Sequence, residues 1–195
     1  MNRLGTMLSR KAVVGLAAVL LVAFGAFGFP PMVALLDAST PEGGEFDTEL
    51  FYTPAQAIEK ASLFSPAGRA GSIRAHWSWD LAFPLAYGFF CAAAWAFGLR
   101  LLAGTGRQPR YLFLLVPLAG SFFDVFENAA VSVLLAADPA GPVLRAAAVA
   151  AAIAASDGTA LKWLFVVPAF SGAIVLPVAG LTAAFVLRRS ANRPA

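Results

Sequence analysis

Two carboxylic acids and an amide, Asp124, Glu127 and Asn128, stand inside the apolar run from Tyr111 to Ala137. Charged side chains in such a run are costly and need partners, a wet cavity or a job. At three- and four-residue spacing the three share one helical face. Ser121 and Ser132 extend that face by a turn in each direction. Adjacent carboxyls can carry acid–base chemistry: a buried neutral carboxyl gives a proton, and an ionised neighbour accepts one or stabilises a cation. Glu127 is the candidate acid and Asp124 the paired carboxylate. Two other apolar stretches hold the groups that would meet them, Asp80 with Tyr87 in one and Lys162 in the other. Pro84 follows Asp80 by four residues, so the Asp80 carbonyl lacks its helical donor and adds polarity beside the carboxylate.

The rest of the chain reads as the scaffold for these groups. Of the 195 residues 59% are hydrophobic and 13% charged, with mean hydropathy +0.75. A soluble domain carries about 25% charged residues, and apolar runs of about 20 residues are long enough to span a bilayer. The net charge is +3 and the basic residues are scattered, which speaks against nucleic acid as a partner. Cys91 is the only cysteine and His76 the only histidine. An intramolecular disulfide, a cysteine zinc site and a CxxC redox pair are therefore excluded, most histidine metal sites are removed, and a Ser/His/Asp triad has one candidate base. No metal motif is recognised and no cofactor is expected.

The expected fold is all-α, a single membrane domain over residues 1–195 built as a four-transmembrane-helix bundle with spans near 12–36, 76–102, 111–137 and 159–187. A secretory signal is the rival for the first run, but its apolar core would be about 7–15 residues long with a small-x-small cleavage site. The run here is longer and ends in Phe29-Pro30-Pro31, so it is read as an uncleaved span. Residues 37–75 and 138–158 form the connections on the outer side. Thr53-Pro54 is a helix-start signal for a short surface helix with Ile58, Ala61 and Leu63 or Phe64 on one side. Ser65-Pro66 repeats the signal before the chain climbs into the second span. Residues 143–156, alanine-rich with Arg145, form a helix either outside the bilayer or at its edge. Arg3, Arg10, Lys11, Arg107, Arg110, Arg188, Arg189 and Arg193 fall in the N-terminus, the 104–110 turn and the C-terminal tail. The positive-inside rule then puts both termini in the cytoplasm.

Depth follows from the helical rise of about 1.5 Å per residue. Asp124 falls near mid-membrane, Glu127 and Asn128 somewhat nearer the outer face, and Asp80 and Lys162 at a similar outer level. The plain alternative is that the acids pair with Lys162 and merely hold the helices together, since interhelical hydrogen bonds in membranes contribute around 0.6 kcal/mol on average. Three acids against one lysine, however, leave at least one to be protonated or solvated. His76 is expected at the interface, Trp77, Trp79 and Trp163 as interface anchors, Cys91, Gly88 and Gly98 as packing residues, and Glu59 with Lys60 as a solvated face.

Taken together, Thr53-Pro54, Gly68-Arg69, Asp80-x-x-Phe83-Pro84-x-x-Tyr87-Gly88, Asp124-x-x-Glu127-Asn128 and Leu161-Lys162-Trp163 resemble a family of bacterial four-helix membrane proteins of uncharacterised activity, over about residues 50–187. In architecture the chain is more loosely similar to the EXPERA-type membrane proteins, which include sterol isomerases and sigma-2-like receptors. That similarity implies a lipidic ligand whose cationic character is matched by buried carboxylates.

Three functions fit these residues. One is a binding or accessory protein that takes a membrane lipid or apolar small molecule against Asp80, Tyr87, Asp124, Glu127, Asn128 and Lys162. Another is an enzyme acting on a lipid or isoprenoid, with Glu127 and Asp124 as the catalytic candidates. The third is proton- or ion-coupled transport; the acids do not extend to the cytoplasmic half, where Arg100 lies, so a continuous path would need waters or an oligomer. A homo-oligomer or a membrane-protein partner is among the expected partners.

Overall fold

The structure is a computed structural model that describes residues 2–44, 46, 49–104, 109–137 and 142–191. Every regular element among them is helical: α1 (Asn2–Leu8), α2 (Lys11–Ala23), a π turn (Phe24–Gly28), α3 (Phe29–Ser39), α4 (Pro54–Leu63), α5 (Pro66–His76), α6 (Trp79–Ala103), a 3₁₀ turn (Tyr111–Leu114), α7 (Leu115–Ala136) and α8 (Pro142–Ala191). Among the described residues four helical stretches are long and apolar enough to cross a membrane: Lys11–Ser39, Pro66–Ala103, Tyr111–Ala136 and Arg145–Leu187.

The first stretch stays helical through Pro30 and Pro31, which have no N–H to give to the preceding turn. The wide turn at Phe24–Gly28 lies just ahead of them, and such local widening is how a membrane helix absorbs a proline. It also separates two packing partners. α2 runs along α6, whereas α3 moves over to α5. There Gly68 and Gly71 bring the α5 backbone against Ser39, leaving no room for a Cβ at either position.

The connection after α3 is more ordered than a polar loop. Thr53 and Gln56 form a reciprocal capping box and Pro54 opens α4, as the start signal predicts. The Ser65 hydroxyl accepts from the Gly68 N–H at 3.1 Å, and Pro66 opens α5. The short helix expected here is α4, and α5 starts at the second signal and leads toward α6. The expected side of α4 holds in part. Ala61 and Phe64 are buried in one core, while Ile58 and Leu63 are exposed and Ala57 and Lys60 are buried instead. Lys60 is not on a solvated face, because its Nζ lies 2.8 Å from Glu49 Oε1 and that pair holds the connection onto the helix.

The second and fourth spans start differently from the sequence expectation. α6 begins at Trp79 and not at His76, since Ser78 breaks the helix and its hydroxyl donates to the Arg74 carbonyl at 2.7 Å. Residues 142–158 are not a separate connection. They are continuous with the fourth span in the 50-residue α8, and Ala148, Ala151, Ala152 and Ala155 bury their side chains in a core with Tyr52, Ala57, Phe64, Val131 and Leu135. Residues 138–141 lie outside the described residues.

Helices α6, α7 and α8 pack on one another. Small residues set their spacing. A Cβ on Gly98 would lie 2.5 Å from the Leu176 carbonyl carbon and 2.6 Å from the Pro177 nitrogen, and Gly180 meets Leu101 and the Gly98 carbonyl from the other side. Gly172 faces the Trp95 ring, whose Nε1 donates to the Ala169 carbonyl at 2.8 Å. Because the atoms facing Gly98 are backbone, Gly98→Ala should lower unfolding stability in detergent by about 1–3 kcal/mol. Gly15→Ala, with nothing within 4 Å of the new methyl, should not lower it.

Candidate functional site

Gly158 decides how α7 and α8 meet. A Cβ there would lie 3.3 Å from the Glu127 Cα, so α8 comes close to α7 at the level of the acids. Thr159 and Lys162, one and four residues further along α8, then face Glu127. Lys162 Nζ lies 2.5 Å from Glu127 Oε2 and 3.6 Å from Asp124 Oδ1. The hydroxyls of Thr159 and Tyr52 both donate to Glu127 Oε1, the latter at 3.4 Å. Tyr87 on α6 donates to Asp124 Oδ2 at 2.9 Å. One ammonium therefore bridges two carboxylates, and each carboxylate has hydroxyl support as well. Such support is what a buried ion pair requires, because Coulomb attraction alone does not offset desolvation.

The two acids differ in access. Glu127 is completely buried (0% exposed) and does not line the neighbouring cavity. Asp124, also buried, does. That cavity has a volume of ≈ 680 Å³ and a mostly apolar lining supplied by α3, the connection after it, α5, α6, α7 and α8. Its polar wall holds Asp80, Tyr87, Asp124, Lys162 and His76. Phe29, Met32 and Phe83 are among its apolar residues, and Phe83 packs edge-on against Tyr87.

The structure thus brings Asp80, Tyr87, Asp124 and Lys162 onto one cavity and sets Glu127 and Asn128 behind it. Asn128 is 1% exposed, and neither atom of its amide makes a hydrogen bond among the described residues. Ser121, expected on the same face, instead donates to the Pro84 carbonyl at 2.8 Å, and the absence of a side chain at Gly88 gives it room.

Two expectations about aromatic and histidine side chains are corrected. His76 is buried, lines the cavity and places Nδ1 3.4 Å from the Ser132 hydroxyl, because the α5–α6 break turns it inward. Trp163 lines the cavity and donates from Nε1 to the Glu49 carbonyl at 3.0 Å, tying α8 to the connection above. Cys91 is buried in packing, as expected.

Sequence reasoning misses Tyr52, Ser156 and Thr159. The Tyr52 ring is wholly buried, stacks edge-on with Phe46, and its carbonyl accepts from the Ser156 hydroxyl. Thr159 carries a usable signal, since it precedes Lys162 by three residues and shares its helical face. Arg69 is a structural clamp. It donates to the Ala61 carbonyl at 2.9 Å and the Leu135 carbonyl at 3.0 Å, joining the last turns of α4 and α7.

Among the described residues no group of three His, Cys, Asp or Glu side chains is placed to hold a metal ion. The chain matches no protein-family model, no curated protein and no solved structure.

Tyr52→Phe leaves the Glu127 carboxylate with one donor fewer in a buried setting. It should lower stability by about 1–3 kcal/mol. Backbone amides of the 49–63 stretch should then exchange faster with deuterium than those of α6, as read by mass spectrometry.

Proposed function

We propose that this chain is a bacterial inner-membrane protein, a bundle of four spans with both termini cytoplasmic, that binds a lipidic or amphipathic molecule in the cavity beside Asp124. The carrying observation is the cavity itself: ≈ 680 Å³, apolar over most of its wall, with Asp80, Tyr87, Asp124 and Lys162 among its polar lining. Its volume falls in the range of about 300–1,000 Å³ that small-molecule sites occupy, and a few convergent polar groups in an apolar pocket are their usual form. The basic residues of the N-terminus, the 104–110 turn and the C-terminal tail support the orientation. Participation of Phe29, Met32, Val33 and Leu36 in the cavity wall supports a first span that stays with the protein.

Charge bookkeeping favours a polar end that is cationic or rich in hydrogen-bond donors. Lys162 is closest to Glu127, behind the wall, and Asp37, Glu42, Asp80 and Asp124 line the cavity against Lys162 and His76. An apolar body with an amine at one end would place the amine near Asp124 and leave its chain among Phe29, Met32 and Val166.

The test is native mass spectrometry of the protein released from its own membrane, followed by extraction of whatever remains bound. Wild type should carry a stoichiometric amphiphile. Asp124→Asn should fold, keep its helical circular dichroism and lose most of that ligand. Equal retention by the two proteins would count against the reading.

A further inference from the structure

The cavity is walled unevenly. Among the described residues α6 packs on both α3 and α8, whereas α3 packs on neither α7 nor α8. α3 and α8 nevertheless both line the cavity, through Met32 and Val33 on one side and Trp163 and Val166 on the other. The side opposite α6 is therefore not closed by helix packing. The frame around that gap is well defined. Above it, the connection after α3 reaches across to α8, where the Glu49 carbonyl accepts from Trp163. Below it, Phe24 stacks on Phe83 at 5.6 Å, and Leu21, Phe83 and Phe170 pack on the cluster around Tyr87. α3 is also held away from α8. The π turn carries it off the line of α2, and the tight contact of Ser39 with Gly68 and Gly71 pins its far end to α5.

We infer that the α3–α8 seam is a portal through which the cavity is filled from the bilayer, so that its ligand is a molecule dissolved in the membrane and not a water-borne solute. The seam lies at the level of two apolar helices whose outward residues are hydrophobic, with Phe29 44% and Val167 54% exposed. A backbone gap there costs nothing in hydrogen bonds, since both flanking segments are helical and satisfy their own polar groups. The inference places the proposed ligand in the membrane, and so rests on the reading of the cavity as a binding site.

The experiment uses the full chain in phosphatidylcholine vesicles, in a Cys91→Ala background, with single cysteines at Val166→Cys, Val33→Cys and, on α4 away from the cavity wall, Glu59→Cys. Two thiol reagents are compared: a long-chain N-alkyl maleimide dissolved in the lipid, and a permanently charged trimethylammonium thiosulfonate in the water on both sides. The cysteines at 166 and 33 should react with the lipid-dissolved maleimide and resist the charged reagent. Position 59, exposed and outside the cavity lining, should react readily with the charged reagent. The charged reagent should modify position 166 more slowly than position 59 by on the order of tenfold or more, because a fixed charge does not cross hydrocarbon. Equal rates of charged labelling at 166 and 59 would show that the cavity opens to water and overturn the portal. Failure of the maleimide to reach either wall position would overturn it as well. The labelling needs no bound ligand, so its outcome is independent of whether Asp124→Asn changes lipid retention.

Discussion

A lysine that is 5% exposed inside an apolar helical assembly can stay charged only if its ammonium is surrounded by acceptors. Lys162 meets this constraint with two carboxylates from α7, at 2.5 Å and 3.6 Å. Much else follows from holding those three groups together. Gly158 must lack a side chain for α8 to approach Glu127, and Thr159 must stand one turn before Lys162 to supply its hydroxyl. Tyr87 must come from α6 to Asp124, and Tyr52 must be carried in from outside the spans to Glu127. The ion network is thus the place where α6, α7, α8 and the connection after α3 are tied to one another by directed bonds, in a setting where apolar packing alone discriminates poorly between arrangements.

The network also divides the labour of its two acids. Glu127 is saturated from three directions and sealed from the cavity, which suits a group that fixes geometry. Asp124 shares the same lysine more distantly, accepts from Tyr87 and faces open volume, which suits a group that meets a ligand. The difference arises from which helix face each occupies: three residues apart, they are about 60° apart around α7, enough to set one against α8 and the other against the cavity. Asn128, next to Glu127 on the buried side, carries an amide that makes no hydrogen bond among the described residues.

That Asp80, Asp124 and Lys162 come together on one cavity was legible from helical rise and topology, because a straight span converts residue number into position along the bundle. The shared face of Asp124 and Glu127 was legible from spacing, but their different environments were not, since spacing alone does not say where the neighbouring helices stand. The burial of His76 and Lys60 was hidden for a related reason. Both belong to the stretch between the first two spans, where the break at Ser78 and the Glu49–Lys60 pair are tertiary outcomes with weak local signals. Tyr52 is the clearest case. It lies one residue before a capping box that is easy to read, yet its destination, 75 residues away at Glu127, depends on how the whole connection folds back.

The claim that most of this depends on is that Lys162 and Glu127 act as one energetic unit. A double-mutant cycle on unfolding in detergent micelles measures it, using Lys162→Met, Glu127→Gln and the pair together. The account predicts that each single change costs up to about 3–5 kcal/mol, because Lys162→Met takes the ammonium from two buried carboxylates and Glu127→Gln leaves it with the more distant Asp124, and that the double change costs far less than the sum. Single costs that add to the double value within about 0.5 kcal/mol would contradict it.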